Sequence, residues 1–284
     1  MGREPPFSVP NATVRDTRPC VTVKSCAVVA RLEINGLDSF MTVPDLPIRN
    51  YFETTTERSL LVREIFNRTA GDYDRLERVL GLGTGSWYRR RALRRAGLKP
   101  GMSVLDIGTG TGLLAREAAA IVGNAQMVVG VDPSPGMMEH AKVPPGLRLL
   151  AGSAEAIPAT DDAADFLSVG YVLRYVGDLP AAFLEFFRVL RPGGRLCLLE
   201  LTQPSGSVSQ ALLKVYLHGF VTPVASMISR HRDMRELMPY FWDTIEACAP
   251  PAAIISALTV AGFVDVDRIL ELGIFSEYRA RKPA

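Results

Sequence analysis

The sequence predicts an α/β fold, in which helices cover both faces of a mostly parallel sheet. From about residue 100 onward, short apolar runs alternate with segments of helical periodicity, which is the pattern of a parallel sheet. The first run leads into the glycine-rich turn Asp106-Ile-Gly-Thr-Gly-Thr-Gly112, and the next ends at Asp132, 26 residues after Asp106. A glycine turn and an acid at successive strand tips indicate a ligand-binding edge of the sheet.

Length and composition fit one such domain with additions. The 284 residues are 48% hydrophobic, enough to bury a full core, and the formal net charge of +2 gives no argument for a nucleic-acid partner. No apolar run approaches the roughly 20 residues that span a bilayer, and the proline-rich start does not resemble a signal peptide. The four cysteines lack metal-ligand spacing, so we expect no metal and a reduced, cytoplasmic setting.

The chain divides into an unusual N-terminal segment and one main domain. Residues 1–50 are predicted to be an extension, either partly disordered or a small hairpin that packs on the core or mediates a homodimer. The main domain is predicted at 51–284. Its first part, 51–98, is helical, with a break at 70–74 and a basic helix from Trp87 onward.

The remaining elements follow in order along the main domain. A helix from Leu179 to Leu190 is expected to stop at the turn Arg191-Pro-Gly-Gly194. The segment 203–250 again has helical periodicity, and a last helix is predicted at 252–261. Seven strands are predicted, at 102–107, 126–132, 147–151, 164–170, 195–201, 264–270 and 274–280.

The glycine turn has a spacing that carries chemical information. The pattern Asp-x-Gly-x-Gly-x-Gly is one residue tighter than the Gly-x-Gly-x-x-Gly turn that cradles a pyrophosphate. Glycines at 108, 110 and 112 let a ligand approach the backbone closely. The leading Asp106 suits a cationic amino-acid group, and Asp132, at a solvent-facing strand tip, is placed to accept both hydroxyls of a ribose.

With these motifs the chain resembles the class I S-adenosylmethionine (SAM)-dependent methyltransferases. The resemblance implies SAM as cofactor and S-adenosylhomocysteine (SAH) as its product. It implies a Rossmann-like, seven-stranded, mostly parallel sheet with an antiparallel C-terminal edge hairpin. It also implies that 51–98 forms a helical lid and that 203–250, inserted after the fifth strand, forms a helical substrate cover.

The same resemblance assigns cofactor contacts to the strand tips. Asp106 would organise contacts to the methionine ammonium, Asp132 would bind the ribose and Met137 would lie against the adenine. Ser153 stands where the superfamily often has an Asp or Asn that binds the adenine amine, so that contact is left open between Ser153, Glu155 and a water. The full predicted cofactor set is Tyr73, Asp106, Gly108, Gly110, Gly112, Asp132, Pro133, Met137, Ser153, Ala154, Glu155 and Gly170.

A second group of motifs resembles the ubiquinone/menaquinone biosynthesis C-methyltransferases, the UbiE-type family, from about residue 60 to the C-terminus. The chain departs from that family where Gly85 and Ser86 align with a His-Arg pair. It also departs near Tyr171-Val172, where two extra residues precede a Leu-Arg pair. The motifs are 65–74 with its Tyr-Asp pair, Ala154-Glu-Ala-Ile-Pro158, Leu173-Arg174, 187–194, 200–204 and Ala261-Gly-Phe263.

Carbon methylation requires a base or a group that stabilises a phenolate near the acceptor. The predicted catalytic residues are Arg174, which would pair with an acceptor oxygen, His218, which would act as base, and Tyr171. A surface salt bridge for Arg174 and a core position for His218 are the structural alternatives. Tyr73, Tyr175, Tyr216 and Tyr240 are further candidates for the pocket wall.

The acceptor class follows from the second resemblance. We expect C-methylation of an aromatic, quinone-like or polyketide-like small molecule. O- or N-methylation of a secondary metabolite, another reaction of SAM, and SAM binding without catalysis are the alternatives. The five arginines between Arg89 and Arg95 predict either a solvated helix face or peripheral contact with an anionic membrane.

Overall fold

The computed structural model describes residues 55–81, 83–202 and 248–284, together with residues 204, 206, 210, 215, 219 and 223. The predictions for 1–50, for most of the 203–250 insertion, and for His218, Tyr216 and Tyr240 lie outside the described residues.

A seven-stranded sheet forms the centre of the described structure, with strand order β3-β2-β1-β4-β5-β7-β6. Strands β1 to β5 pair in parallel, whereas β7 pairs antiparallel with both β5 and β6. The predicted mostly parallel sheet with an antiparallel C-terminal hairpin is therefore confirmed. The strands are β1 (Val104–Ile107), β2 (Val128–Asp132), β3 (Arg148–Ala151), β4 (Ala164–Gly170), β5 (Leu190–Leu201), β6 (Val264–Glu271) and β7 (Phe275–Arg281).

Helices cover the sheet on both faces, which is why every residue of the central strands β1 and β2 is buried. One buried cluster contains Phe183 and Leu258 from α5 and α6, and a second contains Leu93 and Ala118 from α2 and α3. The helices are α1 (Thr55–Leu80), α2 (Gly85–Arg95), α3 (Leu113–Val122), α4 (Pro135–Glu139), α5 (Leu179–Val189) and α6 (Pro251–Val260). None of the described helices combines the length and apolarity needed to cross a bilayer.

Helix α1 corrects one prediction, because it runs without a break through residues 70–74. A glycine in a helix interior costs about 1 kcal/mol relative to alanine, and Gly71 was the reason to expect an interruption. However, Thr69, Ala70 and Leu76 are all buried, so the packing of this face offsets that cost.

Strand β5 begins at Leu190, five residues before the predicted start at 195. Leu190 already pairs with Ala164 of β4, and the regular register resumes with Arg195 opposite Phe166. The Arg191-Pro-Gly-Gly194 segment is therefore an irregularity within a strand and not a free turn. The other six strands match their predicted bounds within two residues.

Candidate active site

A cavity lies at the carboxyl ends of the parallel strands, beneath α1 and α2. Its walls come from the glycine turn after β1, the tips of β2 and β4, and the segment after β3. The two N-terminal helices contribute Phe66, Tyr73 and Arg89, among others. This is the edge where open α/β sheets bind ligands, because the loops that follow the strands converge there.

Most of the residues predicted to contact a cofactor line this cavity. The exceptions are Asp106, which lies behind the glycine turn, and Gly112, which immediately precedes α3. Of the predicted catalytic residues, Tyr171 lines the cavity and Arg174 does not. The cofactor candidates that line it are Tyr73, Gly108, Gly110, Asp132, Pro133, Met137, Ser153, Ala154, Glu155 and Gly170.

The glycine turn has a backbone shape that other residues would not adopt without strain. Gly108, Gly110 and Gly112 have φ of 66°, 55° and 84°, all in the left-handed region. A Cβ at Gly108 would overlap with the side chain of Val172, and one at Gly112 would overlap with Val143. The N–H groups of Gly108, Gly110 and Gly112 are already bonded to the Val131 carbonyl, the Asp132 carboxylate and the Thr109 carbonyl. The turn therefore offers a ligand a surface without side chains, while it packs tightly against Val172 and Val143.

We expect Gly108→Ala to destabilise the fold by about 1–3 kcal/mol, because it adds left-handed strain to a steric overlap. SAH affinity should also fall, since the turn must shift away from Val172. Gly101→Ala is a matched control, because Gly101 has φ of 78° but no atom within 4 Å of its added Cβ. Thermal unfolding and calorimetry would measure both effects. Wild-type SAH affinity in Gly108→Ala would show that the turn does not hold the cofactor.

Asp132 links the glycine turn to the loop that follows β2 through two hydrogen bonds. Its Oδ2 accepts a hydrogen bond of 2.7 Å from the Gly110 N–H, and its Oδ1 accepts one of 2.8 Å from the Ser134 N–H. The residue is only 7% exposed, so the prediction of a solvent-facing tip was wrong. Burial raises the pKa of this carboxyl group, and the two backbone donors oppose that rise. Lone pairs of both carboxylate oxygens remain for ribose hydroxyls.

Asp106 lies deeper, behind the same turn, with 1% of its surface exposed. The Ser168 hydroxyl donates a hydrogen bond of 2.6 Å to its Oδ1. Burial raises the pKa of Asp106 to about 6, with the Ser168 and Thr109 hydroxyls opposing the rise and the Asp132 charge adding to it. A nearby cationic ammonium would favour the ionised form and bring the pKa down again.

The pKa of Asp106 predicts a pH dependence of cofactor affinity. Below about pH 6 the carboxyl is protonated in the free protein, so binding a cation must release that proton. SAH affinity should therefore rise from about pH 5 to about pH 7 and then level off; the raised pKa of Asp132 acts in the same direction. Calorimetry of Asp106→Asn should show a flatter profile. An unchanged profile in that variant would exclude Asp106 as its source.

Helix α1 is joined to the cavity by two polar side chains whose roles the sequence analysis did not assign. The Oδ1 of Asn67 accepts hydrogen bonds from the Ser134 hydroxyl at 2.7 Å and the Gly136 N–H at 2.9 Å. Asp74 accepts a hydrogen bond of 2.6 Å from the Thr111 hydroxyl in the glycine turn. Both side chains belong to the 65–74 motif, so the signal was present, although it did not say what these residues contact.

Aromatic side chains form the wall next to α1. Phe66 makes edge-on contacts with Tyr175 at 5.1 Å and Tyr73 at 6.2 Å between ring centroids. Tyr171 follows β4 with φ of 60°, and its N–H donates to the Leu199 carbonyl at 2.7 Å. Burial raises the pKa of Tyr73 to about 12 and also raises that of Tyr171. At neutral pH these phenols are therefore protonated hydrogen-bonding groups.

Arg174 lies next to the cavity in a buried ion pair. Its Nη1 donates a hydrogen bond of 3.1 Å to the Glu200 Oε1, and both side chains are almost fully buried. Its guanidinium also lies over the Tyr175 ring, 5.1 Å from the centroid. The salt-bridge alternative was expected at the surface, and this location was wrong. A direct role for Arg174 toward an acceptor stays a prediction.

The basic helix α2 does not present its five arginines on one face. Arg89 points inward and lines the cavity, with its Nη2 donating a hydrogen bond of 2.6 Å to the Glu77 Oε1. Arg95 also turns toward the core and pairs with Glu271 and the fully buried Glu277. The exposed arginines of the helix are Arg90, Arg91 and Arg94.

The residues at this edge fit SAM. The side-chain-free turn, the buried Asp106 behind it and the carboxylate of Asp132 provide complementary surfaces for an amino-acid group and a ribose. Met137 packs toward Gly110, where an adenine would rest. No group of three or more side chains suited to a metal ion occurs among the described residues.

Known proteins are similar in sequence to most of this chain. Among curated relatives, a demethylmenaquinone methyltransferase from Beutenbergia cavernae is 34% identical over 225 residues, covering 78% of this chain and 91% of that protein. A 2-phytyl-1,4-naphtoquinone methyltransferase from Thermosynechococcus vestitus is 32% identical over 216 residues, covering 75% of this chain and 94% of that one.

The fold is shared with solved structures at lower identity. A SAM-dependent methyltransferase from Thermotoga maritima superposes with a TM-score of 0.53 at 20% identity, covering 77% of this chain and 98% of its own. The model of the ubiE/COQ5 methyltransferase family matches residues 53–282, which includes both N-terminal helices, the glycine turn and the C-terminal hairpin. The chain therefore belongs to the ubiE/COQ5 methyltransferase family, and it is a SAM-dependent methyltransferase.

Proposed function

We propose that the protein methylates a ring carbon of a quinone-like aromatic acceptor in its reduced, hydroxylated form. The observation that carries this proposal is the aromatic wall of Phe66, Tyr73 and Tyr175 beside the glycine turn, in one cavity. Such a wall suits a flat ring, which stacks on or packs edge-on against aromatic side chains. The names of the two curated relatives, which refer to demethylmenaquinone and a phytyl naphthoquinone, support the same class.

The reaction requires positioning more than activation by the protein. When bound, SAM supplies a methyl group that its sulfonium already activates for transfer. The protein must hold the acceptor carbon in line and exclude water. In this proposal Asp132 and the glycine turn fix the cofactor, while α1 closes the cavity from above. Helix α1 is joined to the glycine turn by Asp74 and to the loop after Asp132 by Asn67.

A ring carbon becomes nucleophilic when a neighbouring hydroxyl loses its proton. We retain His218 as the proposed base and the 203–250 segment as the proposed substrate cover. Tyr171, protonated at neutral pH because burial raises its pKa, would donate a hydrogen bond to the acceptor. Arg174, paired with Glu200, is proposed to act on the acceptor side through its contact with the Tyr175 ring.

The domain boundaries, the oligomeric state and membrane contact are not tested by the described structure. The boundaries of the extension at 1–50 and the main domain at 51–284 stay predictions, as does a homodimer. Peripheral membrane contact also stays a prediction, and the exposed Trp87, Arg90, Arg91 and Arg94 are the residues of α2 available for it.

An acceptor panel tests the proposed function. The protein would be incubated with SAM and, separately, 1,4-naphthohydroquinone, its 2-prenyl derivative, a simple phenol and a primary amine. We expect a product heavier by one methylene from the naphthohydroquinones, detected by mass spectrometry together with SAH. A product from the amine or the simple phenol, with none from either naphthohydroquinone, would contradict the proposal and favour the O- or N-methyltransferase alternative.

A further inference from the structure

Arg89 is a buried cation with an unmet hydrogen-bonding requirement. It is 5% exposed, and its Nη2 donates to Glu77 at 2.6 Å. Its Nη1 is also buried, but makes no hydrogen bond to any described residue. A guanidinium carries five donors, and a buried donor without an acceptor is unfavourable. Among the described residues, this leaves the Nη1 donor available to a bound ligand.

The position of Arg89 places such a ligand on the acceptor side of the cavity. In the sheet order, β2 and β3, which precede Asp132 and Ser153, lie on one side of β1, and β4 lies on the other. Arg89 follows Tyr88 in α2, and the Tyr88 ring lies 5.3 Å from the ring of Phe275 in β7, which is on the same side of β1 as β4. Arg89 lines the cavity together with Tyr171, which follows β4, and Tyr73 of the aromatic wall.

Gly85, the first residue of α2, makes space for the guanidinium. A Cβ at this position would lie 2.8 Å from Arg89 Nη1 and would overlap with Glu77 Oε1. The absence of a side chain at Gly85 therefore allows the Arg89–Glu77 pair to adopt its present arrangement.

We propose that Arg89 is an acceptor-binding residue whose guanidinium donates hydrogen bonds to a phenolate or carbonyl oxygen on the aromatic ring. This inference rests on the proposed function and narrows it to acceptors that carry such an oxygen. A guanidinium stays charged at all relevant pH values, so it binds an ionised oxygen more strongly than a protonated one. An acceptor held in this way has the electron-rich ring that carbon methylation needs.

A coloured phenol tests this binding without turnover. The SAH-loaded protein would be titrated with 4-nitro-1-naphthol, whose absorbance reports its ionisation. We expect the bound probe to ionise at lower pH than the free probe. Arg89→Met should remove this shift and weaken phenolate binding about 10-fold to 100-fold, the effect of one or two pKa units. Arg90→Met is the matched control, because Arg90 is exposed and pairs with Glu117.

A second variant perturbs the same cation without removing it. Gly85→Ala adds a methyl group that only the flexible ends of Glu77 and Arg89 must avoid, so it should fold normally and still weaken phenolate binding. Phenolate affinity within about twofold of wild type in either folded variant would overturn the assignment, as would an equal loss in Arg90→Met. The acceptor panel decides the proposed function separately, because the probe titration requires no methyl transfer.

Discussion

Asp132→Ala is expected to weaken SAH binding by about 100-fold or more. The carboxylate would make two charge-assisted hydrogen bonds to the ribose, and each such bond contributes about 1.5–3 kcal/mol. The substitution also releases the Gly110 and Ser134 N–H groups that Asp132 now accepts, which loosens the turn on which the cofactor rests. Calorimetry with SAH measures the loss directly.

Two further variants separate cofactor binding from general destabilisation. Asp132→Asn keeps an acceptor oxygen but loses the charge, so its SAH affinity should lie between those of alanine and wild type. Asp165→Ala removes a carboxylate that accepts the Ser103 N–H at 2.9 Å at the opposite end of the sheet. It should lower the melting temperature and leave SAH affinity unchanged. Asp132→Ala with wild-type SAH affinity would remove the ribose assignment.

Arg174→Met should lower the free energy of unfolding by about 3–5 kcal/mol, because it leaves a charged carboxylate buried without its partner. Glu200 is only 1% exposed, so water cannot replace the guanidinium. The carboxylate would retain the Leu201 N–H at 2.8 Å, which is insufficient compensation for a full charge. Denaturant unfolding, followed by two independent spectroscopic probes, measures the change.

The double variant Arg174→Met with Glu200→Gln separates the contribution of Arg174 to stability from any contribution to catalysis. It removes both charges while keeping an acceptor for the Leu201 N–H, so most of the lost stability should return. If the double variant regains its stability but kcat stays low, Arg174 also contributes to the reaction. Wild-type stability in the single variant would show that the buried pair is unimportant for the fold.

The parts of the molecule that were predictable depend on local chemistry. The left-handed glycines 108, 110 and 112 and the acid Asp132 were identifiable because few residue types tolerate those backbone shapes or provide that charge. The parallel pairing was predictable because helical segments follow most of the apolar runs, and the C-terminal hairpin was predictable because its two strands lie close in sequence. These features need no knowledge of distant contacts.

The features that were missed depend on distant packing. Gly71 suggested a break that the burial of Ala70 and Leu76 prevents, and nothing near Gly71 in the sequence shows that burial. Five arginines on α2 look equivalent in sequence, yet contacts with Glu77 and Glu277 draw Arg89 and Arg95 inward. The contact of Asp74 with Thr111 joins residues 37 positions apart.

The position of the transferred methyl group tests the central claim most directly. SAM labelled with ¹³C in its methyl group would be reacted with 1,4-naphthohydroquinone, and the product would be identified by nuclear magnetic resonance. We predict that the labelled methyl group is bonded to the ring carbon next to a hydroxyl-bearing carbon. No signal of an oxygen-bound methyl group should appear. A label found on oxygen would contradict carbon methylation, although the cofactor site built around Asp132 and the glycine turn would stand.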